Sequence, residues 1–141
     1  MPQRDYLMQQ MEEMGYFLAS LIRRVLKLKD DMQEDEITGV LHDLIQEKLS
    51  FSIDEAISIE NEGFMELMKE QFNTEGLLEK MAELLMLTGN SIRPSLKLER
   101  LNYLEKSLLL YTHLQETSTN YSFERRDKIL EIQRLLRSET N

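Results

Sequence analysis

The stretch Tyr6–Lys29, "YLMQQMEEMGYFLASLIRRVLKLK", decides how the rest of the chain is read. Its longest unbroken apolar run, "GYFLASLI", is eight residues, far short of the roughly 20 that a membrane-spanning helix needs. Glu12 and Glu13 also sit where a membrane span could not tolerate them, and acids of that kind are foreign to a mitochondrial-type presequence. What remains is a soluble helix. Leu7, Met11, Met14, Leu18, Leu21, Val25 and Leu28 alternate spacings of four and three, the pattern of a coiled-coil seam. Gly15, Ile22 and Leu26 widen that seam, and Tyr6 and Phe17 add bulk at its edges, which suits a helix packed against several neighbours. Asp5, Glu12 and Glu13 come early, with Arg23, Arg24, Lys27 and Lys29 late, in the sense the helix dipole favours. The pattern predicts a central bundle helix over about 4–29, with a homodimer contact along the same stripe as the alternative.

The composition extends this to the whole chain. Of 141 residues, 41% are hydrophobic and 30% charged, with only 5 Gly and 2 Pro. Leu, Glu, Met, Lys and Gln abound, and all are good helix formers. The length fits one domain, 1–141. With no Cys, disulfides, thiolate catalysis and zinc–thiolate sites are excluded. No leader-like order of basic, apolar and small residues opens the chain, so a cytoplasmic setting is expected and the sequon Asn120-Tyr121-Ser122 is read as incidental.

The net charge of −9 is uneven: residues 1–70 hold 7 Lys/Arg against 16 Asp/Glu, whereas 71–141 hold 10 of each. Residues 30–70 alone carry 13 acidic and 2 basic side chains. Such a belt repels phosphate backbones and anionic lipid, which argues against nucleic acid and against a membrane surface as partners. A solvated outer helix face accounts for it. The run "KDDMQEDE" (29–36) lacks the alternating ligands, central Gly and terminal Glu of a calcium loop.

Further helices follow from periodicity and caps. Ile37, Leu41, Leu44, Ile45 and Leu49 mark one over about 36–49. Ser52 and Glu55 form a capping-box match before a short helix. Phe64, Leu67, Met68 and Phe72 mark another from near Asn61. Thr74 caps one over about 75–88, which Gly89-Asn90 is expected to end in left-handed conformation. Pro94 is expected at the first helical position of the next, which runs to about Glu116 with Leu101, Leu104, Leu108 and Tyr111 as its stripe, broadened by Leu98, Tyr103, Leu110 and Leu114. The last helix spans about 123–137. No stretch alternates with period two. The expectation is all-α, with about six or seven antiparallel helices, helical hairpins over about 36–137, and no sheet.

The final helix opens "FERRDKI", placing Arg125, Arg126 and Lys128 against the dipole. Pairing with Glu105 or Glu116 is one compensation. The other makes Tyr121, Phe123, Arg125, Arg126 and Lys128 a surface for an acidic protein partner, including the 30–70 belt of a second copy. The nine Met are read as core fillers in preference to an adaptable binding surface.

Catalytic patterns are missing. His42 and His113 are preceded at the third position by Gly39 and Leu110, so the Glu-x-x-His signature of di-iron bundles is absent. No zinc-protease motif, phosphate-binding loop, dinucleotide fingerprint or nucleophile elbow occurs, and no cofactor is expected. Asp43 and Glu47, one turn apart, could share a metal but read more simply as exposed helix charge.

The segments "RDYLMQQMEEMGYFLASLI" (4–22), "FSIDEAISIENEGFMELMKEQFNTEGLLEKMAELL" (51–85) and "YSFERRDKILEIQRLL" (121–136) together resemble an uncharacterised family of small bacterial all-helical proteins. That resemblance implies tetratricopeptide-like (TPR-like) helical hairpins in the second half, and brings no activity, cofactor or site residue. A non-catalytic protein-interaction or scaffold module, binding another protein or itself, is therefore the leading expectation. The rivals are a membrane-surface protein using Arg23, Arg24, Lys27 and Lys29 of the first helix, and a carboxylate–metal enzyme within the bundle.

Overall fold

A computed structural model describes residues 2–140, without the side chains of Pro2 and Thr140; Met1 and Asn141, the ends of the expected domain, lie outside the described residues. Its helices are α1 (Pro2–Asp30), a 3-10 turn at Glu34–Glu36, α2 (Ile37–Leu49), α3 (Ile53–Ser58), α4 (Asn61–Gln71), α5 (Glu75–Ser91), α6 (Lys97–Thr117) and α7 (Phe123–Thr140). No strand occurs among the described residues. The protein is all-α, as periodicity requires.

Two caps form where sequence placed them. The Ser52 hydroxyl accepts from the Glu55 backbone N–H at 3.3 Å, and that of Thr74 from Leu77 at 3.2 Å. Each satisfies one of the donors a helix N-terminus leaves unpaired. Ser50 ends α2 at φ 58°, in the left-handed region.

Gly89 does not end α5. The helix continues through Asn90 to Ser91, and Gly89 has no positive φ. Its value lies in what it lacks: a Cβ built there would lie 2.9 Å from the Cβ of Tyr103 and 3.1 Å from Leu104 side-chain atoms. Gly89 thus sets how closely α5 and α6 approach. Pro94 likewise stands in the preceding turn, outside α6, which starts at Lys97. Leu96 is the residue whose carbonyl takes the first N–H of that helix, from Arg100 at 3.0 Å.

Cross-helix contacts fix the topology. Gly89 meets Tyr103 and the Ser107 hydroxyl donates to the Ala82 carbonyl at 2.7 Å, so α5 and α6 run antiparallel. Arg100 meets Glu139 while Arg125 meets the Leu114 carbonyl, so α6 and α7 do too. By contrast α1 runs parallel to α5: Gly15 lies by Leu77, and the Asp35–Arg93 ion pair joins the segments after their C-termini.

The axis of the bundle is α5, where sequence put the first helix. It packs on α1 and on α6, burying Leu77, Leu78, Met81, Ala82, Leu84, Leu85, Thr88 and Gly89. The reason is steric. Ala82 and Gly89 let α6 approach α5 closely on the side where Tyr103 and Ser107 meet them. Phe64, Met68 and Phe72, with Ile37, Leu41, Ile45, Ile53 and Ile57, complete the core from α2 to α4 and the residue after it.

Candidate interaction surfaces

Both proposed surfaces can now be placed. In α1 the seam splits. Leu18 and Leu21 are 0% and 2% exposed, and Val25 and Leu28 are buried with them, whereas Tyr6, Leu7 and Met8 are 59%, 51% and 49% exposed. The cause is length: at about 1.5 Å per residue α1 is about 43 Å long against about 25 Å for α5. Since Gly15 already sits by Leu77 in the first turn of α5, the residues before it run past the end of their neighbour. Along that projecting part lies a groove of about 510 Å³, walled by Leu7, Met11 and Met14 on one side and by Lys48, Gln71 and Leu77 on the other. Arg23, Arg24 and Lys27 are exposed, but in the half of α1 whose apolar face already packs on α5.

The cluster at the start of α7 is divided as well. Ser122 caps the helix, its hydroxyl accepting from the Arg125 N–H at 3.1 Å. Arg125 is 8% exposed: it donates to both Glu79 carboxylate oxygens at 2.9 and 3.1 Å, to Gln115 Oε1 at 3.1 Å and to the Leu114 carbonyl at 3.4 Å. Hydrogen bonding to Glu79 raises its pKa, with burial acting the other way. Arg125 is therefore a structural clasp between α5, α6 and α7 and cannot greet a partner. Its acid is Glu79 of α5, neither Glu105 nor Glu116. Local sequence could not find it, because the pairing joins residues 46 positions apart.

Tyr121 and Phe123 stay exposed, packed edge to face with ring centres 5.4 Å apart. The Arg126 guanidinium lies 5.2 Å from the Phe123 ring and 3.3 Å from Asp127, and Lys128 is half-buried. Four of the five residues thus remain at least partly at the surface, and the Arg126 guanidinium already has aromatic and acidic company.

Sequence reading missed the buried polar groups of α6. Arg100, Lys106 and Ser107 occupy its inner face beside Tyr103, Leu104, Leu110, Tyr111 and Leu114. The Arg100 Nη1 donates to the carbonyls of Gly89, Asn90 and Ile92 at 3.1, 2.9 and 2.8 Å, and its Nε to Glu139 at 2.8 Å. It closes the C-terminus of α5, the work first assigned to Gly89. Lys106 donates to Asn61 Oδ1 at 2.8 Å and lies 5.5 Å from the Phe64 ring centre; burial lowers its pKa and Glu105 opposes this. Tyr103 is fully buried and its hydroxyl finds no hydrogen-bond partner, a costly arrangement. Of the expected stripe, Leu104, Tyr111, Tyr103, Leu110 and Leu114 are buried, whereas Leu101 and Leu108 are only half-buried and Leu98 is exposed. The signal available was the 100–103–107–111–114 spacing, had Arg100 and Ser107 been admitted to it.

Among the described residues, no group of three or more His, Asp or Glu side chains is placed to hold a metal ion, and no helix is long and apolar enough to cross a membrane. His42 is solvent-accessible, its Nδ1 3.2 Å from Asp43 and its Nε2 3.9 Å from Asp54. Compared with known protein families, curated proteins and solved structures, the chain finds no match.

Proposed function

We propose that the chain is a non-catalytic interaction module that docks through the projecting N-terminal half of α1, with a second copy of itself as partner. One observation carries this reading. A heptad stripe that is buried from Leu18 onward continues, unchanged in spacing, through half-buried Met11 to exposed Leu7. Apolar residues at seam spacing lose water only when another helix meets them.

The charges favour one orientation. A parallel pair would set Arg4, one heptad step before Leu7, against its own copy. An antiparallel pair that places Leu7 against Met11 removes that repulsion, bringing Arg4 of each chain to the level of Met14, one residue from Glu13, on the other. About three turns of helix make a small interface, below the ~1,200 Å² of stable complexes, so the association is expected to be weak. The TPR-like reading of the second half belongs to the same proposal, with α6 and α7 as its helical hairpin; their antiparallel pairing supports it.

Light scattering coupled to size exclusion, over a dilution series, tests the reading. Dimer that gives way to monomer on dilution is expected, and Leu7→Glu should be monomeric throughout with unchanged helix content. Raised salt should weaken the dimer only slightly, since the contact is chiefly apolar. Wild-type protein that stays monomeric up to about 1 mM would overturn the self-partner.

A further inference from the structure

A second feature, independent of α1, lies where α5, α6 and α7 meet. A cleft of about 440 Å³ opens there between Glu79 and Glu83 of α5, Tyr111 of α6, and Glu124, Asp127 and Lys128 of α7, with Arg125 at its floor. Half of its charges are already engaged. Glu79 is held by Arg125, and Asp127 faces Arg126. Glu83 and Glu124 make no ion pair among the described residues.

Tyr111 is the decisive residue. Only 2% of it is exposed, yet its hydroxyl makes no hydrogen bond, and unlike that of Tyr103 it is not sealed inside the core. A phenol buried to this degree ordinarily finds a partner within the protein. Here Tyr111 lines the cleft, and its hydroxyl has no partner among the described residues. Burial raises its pKa, and Glu83 and Glu79 raise it further against the opposing pull of Arg125, so the hydroxyl stays neutral at physiological pH.

We infer that the cleft binds one organic cation, an alkylammonium or guanidinium head, with the Glu83 and Glu124 carboxylates supplying charge and the Tyr111 hydroxyl oxygen accepting a hydrogen bond. A metal ion is not the fit, because the acids do not converge as a ligand set. An ammonium or guanidinium group asks for less: a few acceptors spread over its several N–H donors. The same head can come from a lysine or arginine side chain of a peptide or from a free amine. Lys128 at the rim sets a preference for a single positive charge over a polyamine.

The test is a titration followed by NMR of the Tyr111 ring and the Glu83 and Glu124 side chains. The probes are butylammonium, the blocked dipeptide acetyl-Gly-Lys-amide, acetyl-Gly-Arg-amide, and 1-butanol as a neutral control. Saturable shifts at those three residues with the cations, and none with 1-butanol, are expected. Tyr111→Phe should weaken binding about tenfold or more, the effect of one hydrogen bond to a charged group. Glu83→Gln with Glu124→Gln, neither of which has an ion pair to lose among the described residues, should abolish it. Tighter binding of the peptides than of butylammonium assigns the head to a protein partner, and equal binding assigns it to a free amine. Shifts that never saturate, shifts equally produced by 1-butanol, or a Glu83→Gln/Glu124→Gln protein that binds as well as wild type would each overturn the site.

Discussion

The two halves of α1 carry one sequence pattern and meet two fates. From Leu18 to Leu28 the stripe is buried; toward the N-terminus the same spacing passes through half-buried Met14 and Met11, which line a groove, to exposed Leu7. Nothing in the residues themselves distinguishes the halves, since Leu, Met and Val at positions three and four apart make an apolar face in either. What differs is whether another helix reaches that level of the bundle. Burial is decided by the lengths and register of neighbours, which lie tens of residues away in sequence.

Truncating one side chain in each half breaks this comparison most sharply. Leu18→Ala, in the sealed half, is expected to lower unfolding free energy by about 3 kcal/mol, as buried leucines do when a cavity is left. Leu7→Ala should cost less than about 0.5 kcal/mol at concentrations where the protein is monomeric, since that residue is half exposed. Urea titrations of both variants read the difference, and equal losses would mean the halves are equally covered.

A glycine pair sharpens it at intermediate size. Gly89, where α5 meets α6, has no space for a methyl group: Tyr103 lies 2.9 Å from the position its Cβ would take. Gly89→Ala is expected to destabilise by about 1–3 kcal/mol through overpacking, in spite of better helix propensity. Gly15, where α1 begins to meet α5, faces only Leu77 Cδ2 at 3.9 Å, and Gly15→Ala should stabilise by up to about 1 kcal/mol. Thermal unfolding of the two variants should therefore move in opposite directions.

The smallest effect comes from the sealed side. Tyr103→Phe removes a buried hydroxyl with no partner and is expected to raise stability by about 1 kcal/mol. It should also change the alkaline limb. Burial raises the Tyr103 pKa, with Asp54 and Glu99 adding to it, and Tyr111 is raised in the same direction. A folded pKa above the unfolded one gives stability that is whole below the unfolded value, about 10, and is lost as pH rises beyond it. Lys106, lowered by burial, acts oppositely and offsets part of the loss. Stability measured from neutral pH to about pH 11 should fall less steeply in Tyr103→Phe than in wild type.

The class of fold and most helix limits were legible because they rest on local rules: 3.6-residue periodicity, caps at Ser52 and Thr74, and the absence of alternation. Gly89 and Pro94 were misplaced for one reason. Each has a common local use, at a helix end and a helix start, and a tertiary contact or turn claimed it instead. Arg125 was legible as an anomaly, a cation in the wrong turn of a helix, but Glu79 was not legible as its answer. The inner face of α6 was obscured because Arg100 and Ser107 look like surface residues until the α5 carbonyls they serve are in view. The splitting of the α1 seam had no local signal at all.

The most direct measurement of the central claim is amide hydrogen exchange along α1 at two protein concentrations, one well above and one well below the dimer midpoint. Protection over residues 3–14 should rise with concentration while that over 18–28 stays constant and high. Equal, rapid exchange over 3–14 at both concentrations would contradict docking of a second copy on this half of the helix.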